Sequence, residues 1–369
     1  MRWVWTGLVA IAAALFALLI LSAILTGNWA ALSLAALGLA VALPWPGRGI
    51  VAAFGGWGPA LRALAGVVLL LATGYAMLAW RPASIYKSDA VRAQFHEIYD
   101  AKMAGWPLPF EDRVVATEYG AVHVIVSGPE AAPPMLLLHA SGVSSWSWRA
   151  NAAALGADFR LYAIDTIGDA GKSDYADLAH VLTSRAEQAA LHDALMTHLG
   201  IDRPAVVVGA SEGGFIASNL AVHYPDRVAR LILLGPMGYA GAVGAVLRIM
   251  GAQYFPLAPV QDATFRWAFS DADAVIAEFN DWFRLLMSET VPVKVAPLPL
   301  PAAERQAIAA PTLFVFGTRD NLVGDPEAAR ALVADMQDAT VAVVEAGHLM
   351  AAEIPDHIDR LILDFAREK

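Results

Sequence analysis

Ser211 stands in Gly209-Ala-Ser211-Glu-Gly213, directly after the apolar run Ala205–Val208 and ahead of a helix-like stretch. Gly-x-Ser-x-Gly at a strand-to-helix junction has the form of a nucleophile elbow, a sharp turn that presents a hydroxyl. A serine hydroxyl is a weak nucleophile. The pattern does chemistry only with a base, an acid to orient that base, and donors for a developing oxyanion. Asp320 in Gly317-Thr-Arg-Asp320 and His348 in Gly347-His348 are the candidates, each just after a later apolar run. Asp325 competes with Asp320, while the position after Arg230–Leu234 offers no acid because Gly235-Pro-Met-Gly follows. His96, His180, His192, His198, His223 and His357 lie in helix-like or polar segments and are expected at the surface or in packing. His123 alternates outward from a strand, and Glu212 is expected to be a solvated surface carboxylate.

The elements that must position these groups follow a regular rhythm. Alternation over residues 114–126 predicts two antiparallel strands around Gly120. Short apolar runs then alternate with helix-length segments: Met135–Leu138, Arg160–Ile164, Ala205–Val208, Arg230–Leu234, Thr312–Phe316 and Thr340–Val344. That rhythm implies right-handed crossovers and a mostly parallel sheet covered on both faces, with ligands at the carboxyl ends of its strands. The loop after the first run, His139-Ala-Ser-Gly142, has backbone amides that could face an anion. The loop after the second contains Gly171-Lys172-Ser173, but a phosphate-binding loop requires glycine where Thr166 stands, so nucleotide binding is not expected. Between Pro236 and Ala309 the rhythm lapses into helix-like stretches at 240–254, 263–269 and 272–288, then a proline-rich return from Pro292 to Pro301. This insertion, rich in Phe and Trp, would sit above the elbow as a cap.

Composition limits the rest. Apolar residues make up 57% of the 369-residue chain and charged residues 16%. Residues 1–88 carry five basic and no acidic side chains, so with a net charge of −10 the remainder carries −15. Such an acidic body lacks the basic footprint of a nucleic-acid binder. The absence of cysteine excludes disulfides, thiolate catalysis and cysteine-ligated metals. Uncharged apolar runs at 3–25, 29–43 and 60–80, the last interrupted only by Arg62, predict about three transmembrane helices within residues 1–82. The expectation is therefore an integral, multi-pass membrane protein with the lipid bilayer as a partner. A cleaved signal peptide fits less well, since the first run exceeds a usual apolar core and offers no clear small-x-small site. Residues 83–112 form a linker with an amphipathic helix from Asp89 to Gly105, ended by Trp106-Pro.

From about Trp106 onward, roughly 260 of 369 residues, the chain resembles the α/β-hydrolase superfamily in its esterase-like branch with a helical cap. The resemblance rests on Leu-Leu-Leu-His139, Asp165…Gly168…Gly171-Lys-Ser173-Asp, Gly209-x-Ser211-x-Gly213, Gly317-x-x-Asp320 and Gly347-His348 followed by Glu353-Ile-Pro355, with the order serine, aspartate, histidine. It implies an α/β core at 113–235 and 310–369 and a cap at 236–309. It further implies that His348 takes the Ser211 proton, that Asp320 holds the imidazole, and that the backbone N–H groups of Glu212 and Ser141 form the oxyanion hole. Ala140 departs from the glycine usual after that histidine. His139, Trp146 and Trp282 are candidate substrate contacts. The implied activity is that of a serine esterase acting on a small apolar ester through an acyl-enzyme, without metal or organic cofactor. Cleavage of an amide, thioester or carbon–carbon bond stays open, as does a silent hydrolase-fold binding or scaffold module. A transport role is disfavoured by the lack of acidic residues or histidines within the apolar runs.

Overall fold

The computed structural model describes residues 84–239, 257–291 and 293–368, together with 68–69, 72 and 248–249. The chain divides into two units, Met1–Ala83 and Ser84–Lys369. The three apolar runs at 3–25, 29–43 and 60–80 lie outside the described residues but for positions 68–69 and 72. Among the described residues no helix is long and apolar enough to cross a membrane. The integral, multi-pass localisation expected from hydropathy is corrected on that finding, and the bilayer as a partner has no support from it.

The second unit opens with helix α1, Asp89–Met103. The Ser88 side chain accepts from the Val91 amide, Asp89 occupies the first turn and Lys102 the last, all favourable to a helix. Its buried residues Phe95, Tyr99 and Met103 recur every four positions, so one stripe packs inward. Strands β1 (Phe110–Ala116) and β2 (Gly120–Ser127) then pair antiparallel, with Ala116 opposite Ala121 across the turn.

The remaining strands are β3 (Pro134–Leu138), β4 (Arg160–Ile164), β5 (Asp174–Tyr175), β6 (Ala205–Ala210), β7 (Val228–Leu234), β8 (Thr312–Gly317) and β9 (Ala339–Val344). The sheet runs β1-β2-β4-β3-β6-β7-β8-β9, with β5 paired antiparallel to β2. Every pairing from β4 to β9 is parallel, and β2 meets β4 antiparallel. Central strands such as β3 and β8 are buried along their whole length, which is why they read as continuous apolar runs.

Successive side chains enter opposite faces. Leu137, Val208, Ile232 and Val315 pack into one core with α1, helix α2 (Arg149–Leu155) and the cap. Leu138, Val207, Leu233 and Phe314 pack into the other, against helices α3 (Arg185–His198) and α4 (Glu212–His223). Helix α3 begins at a capping box in which Ser184 and Glu187 satisfy each other's amides. The segment expected as a cap comprises α5 (Ala258–Ala268) and α6 (Asp273–Glu289), then a return at 293–301 and the short α7 (Ala302–Gln306). The expected helix at 240–254 lies outside the described residues except at 248–249. The chain finishes with α8 (Pro326–Val333), α9 (Met350–Glu353) and α10 (Pro355–Arg367).

Candidate active site

Strand β6 ends at Ala210 and α4 begins at Glu212, so Ser211 alone must turn the chain. It does so at φ 52° and ψ −113°, the one positive φ of a non-glycine among the described residues. Such a conformation costs about 1–3 kcal/mol and persists only where surroundings enforce it. Here the Ser211 amide donates to Leu234 O at 2.9 Å, while its carbonyl accepts from Gly214 N and Met237 N, each at 3.0 Å. The flanking glycines are steric necessities. A Cβ on Gly209 would lie 2.3 Å from Gly213 O, and one on Gly213 would lie 2.1 Å from Leu138 O.

Asp320 and His348 follow β8 and β9, adjacent strands at one end of the sheet. Asp320 Oδ2 lies 2.7 Å from His348 Nδ1, and Oδ1 accepts from the amides of Leu322 and Val323 at 2.9 and 3.0 Å. With Nδ1 facing a carboxylate, Nε2 is the free ring nitrogen, and it is buried without a hydrogen-bond partner. Gly235, next to the Leu234 carbonyl that holds Ser211, packs against this pair. A Cβ there would sit 2.9 Å from Asp320 Oδ2 and 3.3 Å from His348 Nδ1. The turn before His348 is fixed by Glu353, whose Oε2 accepts from Gly347 N and from the Ser270 hydroxyl of the cap. The Leu349 amide donates to Phe269 O.

On the opposite side lies the 139–143 loop. His139 is buried between two loops: its Nδ1 donates to Ala140 O at 2.8 Å and its Nε2 accepts from Thr166 N at 2.9 Å. Its place is therefore in shaping the loop. Among the described residues no acceptor takes the amide of Glu212 or of Ser141. The Glu212 amide is also one of the unpaired N–H groups that open α4.

Glu212 departs from expectation. It is 2% exposed, and its carboxylate lies 2.5 Å from the ammonium of Lys294 on the cap's return segment. Lys294 also meets Asp169 Oδ2 at 3.0 Å and Ser141 Oγ at 2.6 Å. Burial works against the Lys294 charge, but Asp169 and Glu212 outweigh it and hold the group above the ordinary ammonium range. Neither Lys294 nor Asp169 carried a motif. The available signal was that Lys294 is the sole basic residue between Arg284 and Arg305.

His123 departs as well. It is 1% exposed, with Nδ1 3.0 Å from Asp165 and Nε2 2.7 Å from Asp112. Burial pulls its pKa down, yet the two carboxylates overcome this and raise it. Asp165 is pushed up by burial but lowered further by His123, and it ends well below the carboxylate range. This cluster accepts from Ser145 N and Lys172 N and so ties the loops beneath the site.

Of the candidate substrate contacts, Trp282 stands on a cavity wall with Phe265, Phe269, Phe279 and Phe283, and donates to Gly142 O at 2.8 Å. Trp146 is fully buried against Phe279 and Trp282, in the packing behind that wall. A cavity of about 20 Å³ lies between Ala140, Ala210, Leu234 and His348, room for about one water. Among the described residues no cluster of acidic, histidine or cysteine side chains suits a metal ion.

A parallel sheet, a serine elbow and an Asp-His pair at later strand ends define a hydrolase of one fold family. The chain belongs to the alpha/beta hydrolase family, whose model matches residues 135–360. It is 28% identical over 296 residues to carboxylesterase YbfK of Bacillus subtilis (strain 168), covering 74% of this chain and 93% of that protein. The crystal structure of that carboxylesterase, CesB (YbfK), matches with a TM-score of 0.67 at 26% identity, over 75% of this chain and 99% of the other. Naproxen esterase (carboxylesterase NP) from Bacillus subtilis matches with a TM-score of 0.70 over 76% of this chain and 99% of the other. At 23% identity that likeness speaks to the fold alone. The protein is thus an enzyme, a serine hydrolase of carboxylesterase-like kind.

Proposed function

We propose that this enzyme hydrolyses a carboxylic ester with an apolar acyl group through an acyl-enzyme on Ser211. The observation that carries the reading is the Asp320–His348 pair, closed at 2.7 Å with Nε2 buried and unpartnered. Ser211, at positive φ, donates its amide to Leu234 O, the residue before the Gly235 that packs against this pair. As Ser211 Oγ attacks the acyl carbonyl, His348 Nε2 takes its proton, and Asp320 stabilises the imidazolium. The amides of Glu212 and Ser141 donate to the oxyanion. His348 then returns the proton to the departing alkoxide, and water repeats the sequence to release the acid.

The aromatic wall of the cap supports the acyl preference. The space beside His348 amounts to about 20 Å³, so side chains around it, Phe279 among them, must move aside to admit an acyl chain. Each buried methylene is worth about 0.8 kcal/mol, so kcat/KM should rise roughly tenfold for each pair of methylenes from acetate to hexanoate. A flat series on p-nitrophenyl esters would contradict the acyl preference. A fluorophosphonate probe should label the folded wild type at Ser211 and leave Ser211→Ala unlabelled. Equal labelling of both, or none of the wild type, would contradict the mechanism.

A further inference from the structure

We infer that Lys294 is a positioning residue for the oxyanion hole, carried into place by the cap; this rests on the serine-hydrolase reading above. An ammonium has three donors, and three acceptors surround this one: Glu212 Oε2 at 2.5 Å, Ser141 Oγ at 2.6 Å and Asp169 Oδ2 at 3.0 Å. Asp169 Oδ2 in turn accepts from Gly142 N at 2.8 Å. One cation therefore ties both sides of the proposed hole, the residue after the nucleophile on one hand and the 139–143 loop on the other.

The segment that delivers Lys294 is itself anchored. Val293 N donates to Gly168 O at 3.0 Å, and Leu300 N donates to Gly238 O at 2.8 Å. Stability alone gives no reason for such a cluster. The Glu212 and Asp169 side chains are 3% and 0% exposed, so two carboxylates and one ammonium leave a net negative charge in the interior. Buried ion pairs are often replaced by apolar packing at no loss of stability. What apolar packing cannot do is fix Glu212, Ser141 and Gly142 relative to one another. Displacements of about 1 Å at such donors cost on the order of 100-fold in rate. Without Lys294, Glu212 and Asp169 face each other uncompensated and the two halves of the hole separate.

The test compares wild type, Lys294→Met and the double variant Lys294→Met with Glu212→Gln, in which one of the two orphaned carboxylates is neutralised. Thermal melting, kcat and KM on p-nitrophenyl butyrate are measured for each, with Ser211→Ala alongside. The expected result is a kcat lower by on the order of 100-fold in Lys294→Met, with KM within about threefold. The double variant should recover melting temperature without recovering kcat. A folded Lys294→Met with wild-type kcat, or a kcat that returns together with melting temperature in the double variant, overturns the positioning role. If Ser211→Ala turns over like wild type, the serine reading falls and this inference with it. If Ser211→Ala is inactive while Lys294→Met is fully active, the positioning role alone falls.

Discussion

Asp320 divides its two oxygens, Oδ1 on the amides of Leu322 and Val323 and Oδ2 on His348 Nδ1. Asparagine at 320 can keep the loop contacts while presenting an amide to the ring, which favours the wrong imidazole tautomer. Asp320→Asn should therefore lose roughly 10⁴-fold in kcat with little change in melting temperature, measured on p-nitrophenyl butyrate. Loss of fold with loss of rate would assign Asp320 a structural role instead. His123 makes a different prediction. Its raised pKa means that the charged ring is favoured in the folded protein. That stability is fully present below the unfolded value of about 6.5 and is lost as pH rises through the folded value. Replacing it strands Asp165 in the interior, so His123→Gln should cost about 3 kcal/mol near pH 5.5. The cost should shrink towards pH 9, as read from urea unfolding. A cost that does not vary with pH would remove the charge from the account.

Helix α10 packs Ile358, Ile362 and Phe365 on the sheet and brings Asp359 into the interior beside Asn151 of α2. Burial pushes the Asp359 carboxyl up to about 6. A raised acid favours folding below its unfolded value near 3.9, and that contribution is lost as pH rises through about 6. Asp359→Asn should accordingly raise the melting temperature at pH 8 and leave it unchanged near pH 4. Equal shifts at both pH values would contradict this.

Elements of this kind were legible where periodicity was strong. The run Arg160–Ile164 is strand β4 residue for residue, and the stripe in 89–105 is α1. Polar residues in the core were not legible. Alternation marks His123 as outward-facing because it cannot know that Asp165, forty-two residues later, lies across the sheet to receive it. Glu212 reads as solvated for the same reason: its partner Lys294 belongs to a cap segment eighty-two residues away. The multi-pass expectation rested on the length of the uncharged apolar runs within residues 1–82, and it is corrected because no helix among the described residues is long and apolar enough to cross a membrane.

At the scale of the whole molecule, the sheet gathers groups from distant parts of the chain at one end, Ser211 after β6, Asp320 after β8 and His348 after β9. The segment between β7 and β8 sets Phe269 beside His348, ring centroids 6.1 Å apart, and contributes Ser270 to the His348 turn through Glu353. It contributes Lys294 to the proposed oxyanion side. Fold and relatives place the enzyme among carboxylesterase-like serine hydrolases. The residue proposed to carry the chemistry is Ser211. The most direct measurement is turnover of p-nitrophenyl butyrate by purified wild type and Ser211→Ala of equal melting temperature. The account predicts a fall in kcat of at least roughly 10⁴-fold in the variant. Turnover by Ser211→Ala at the wild-type rate would contradict it.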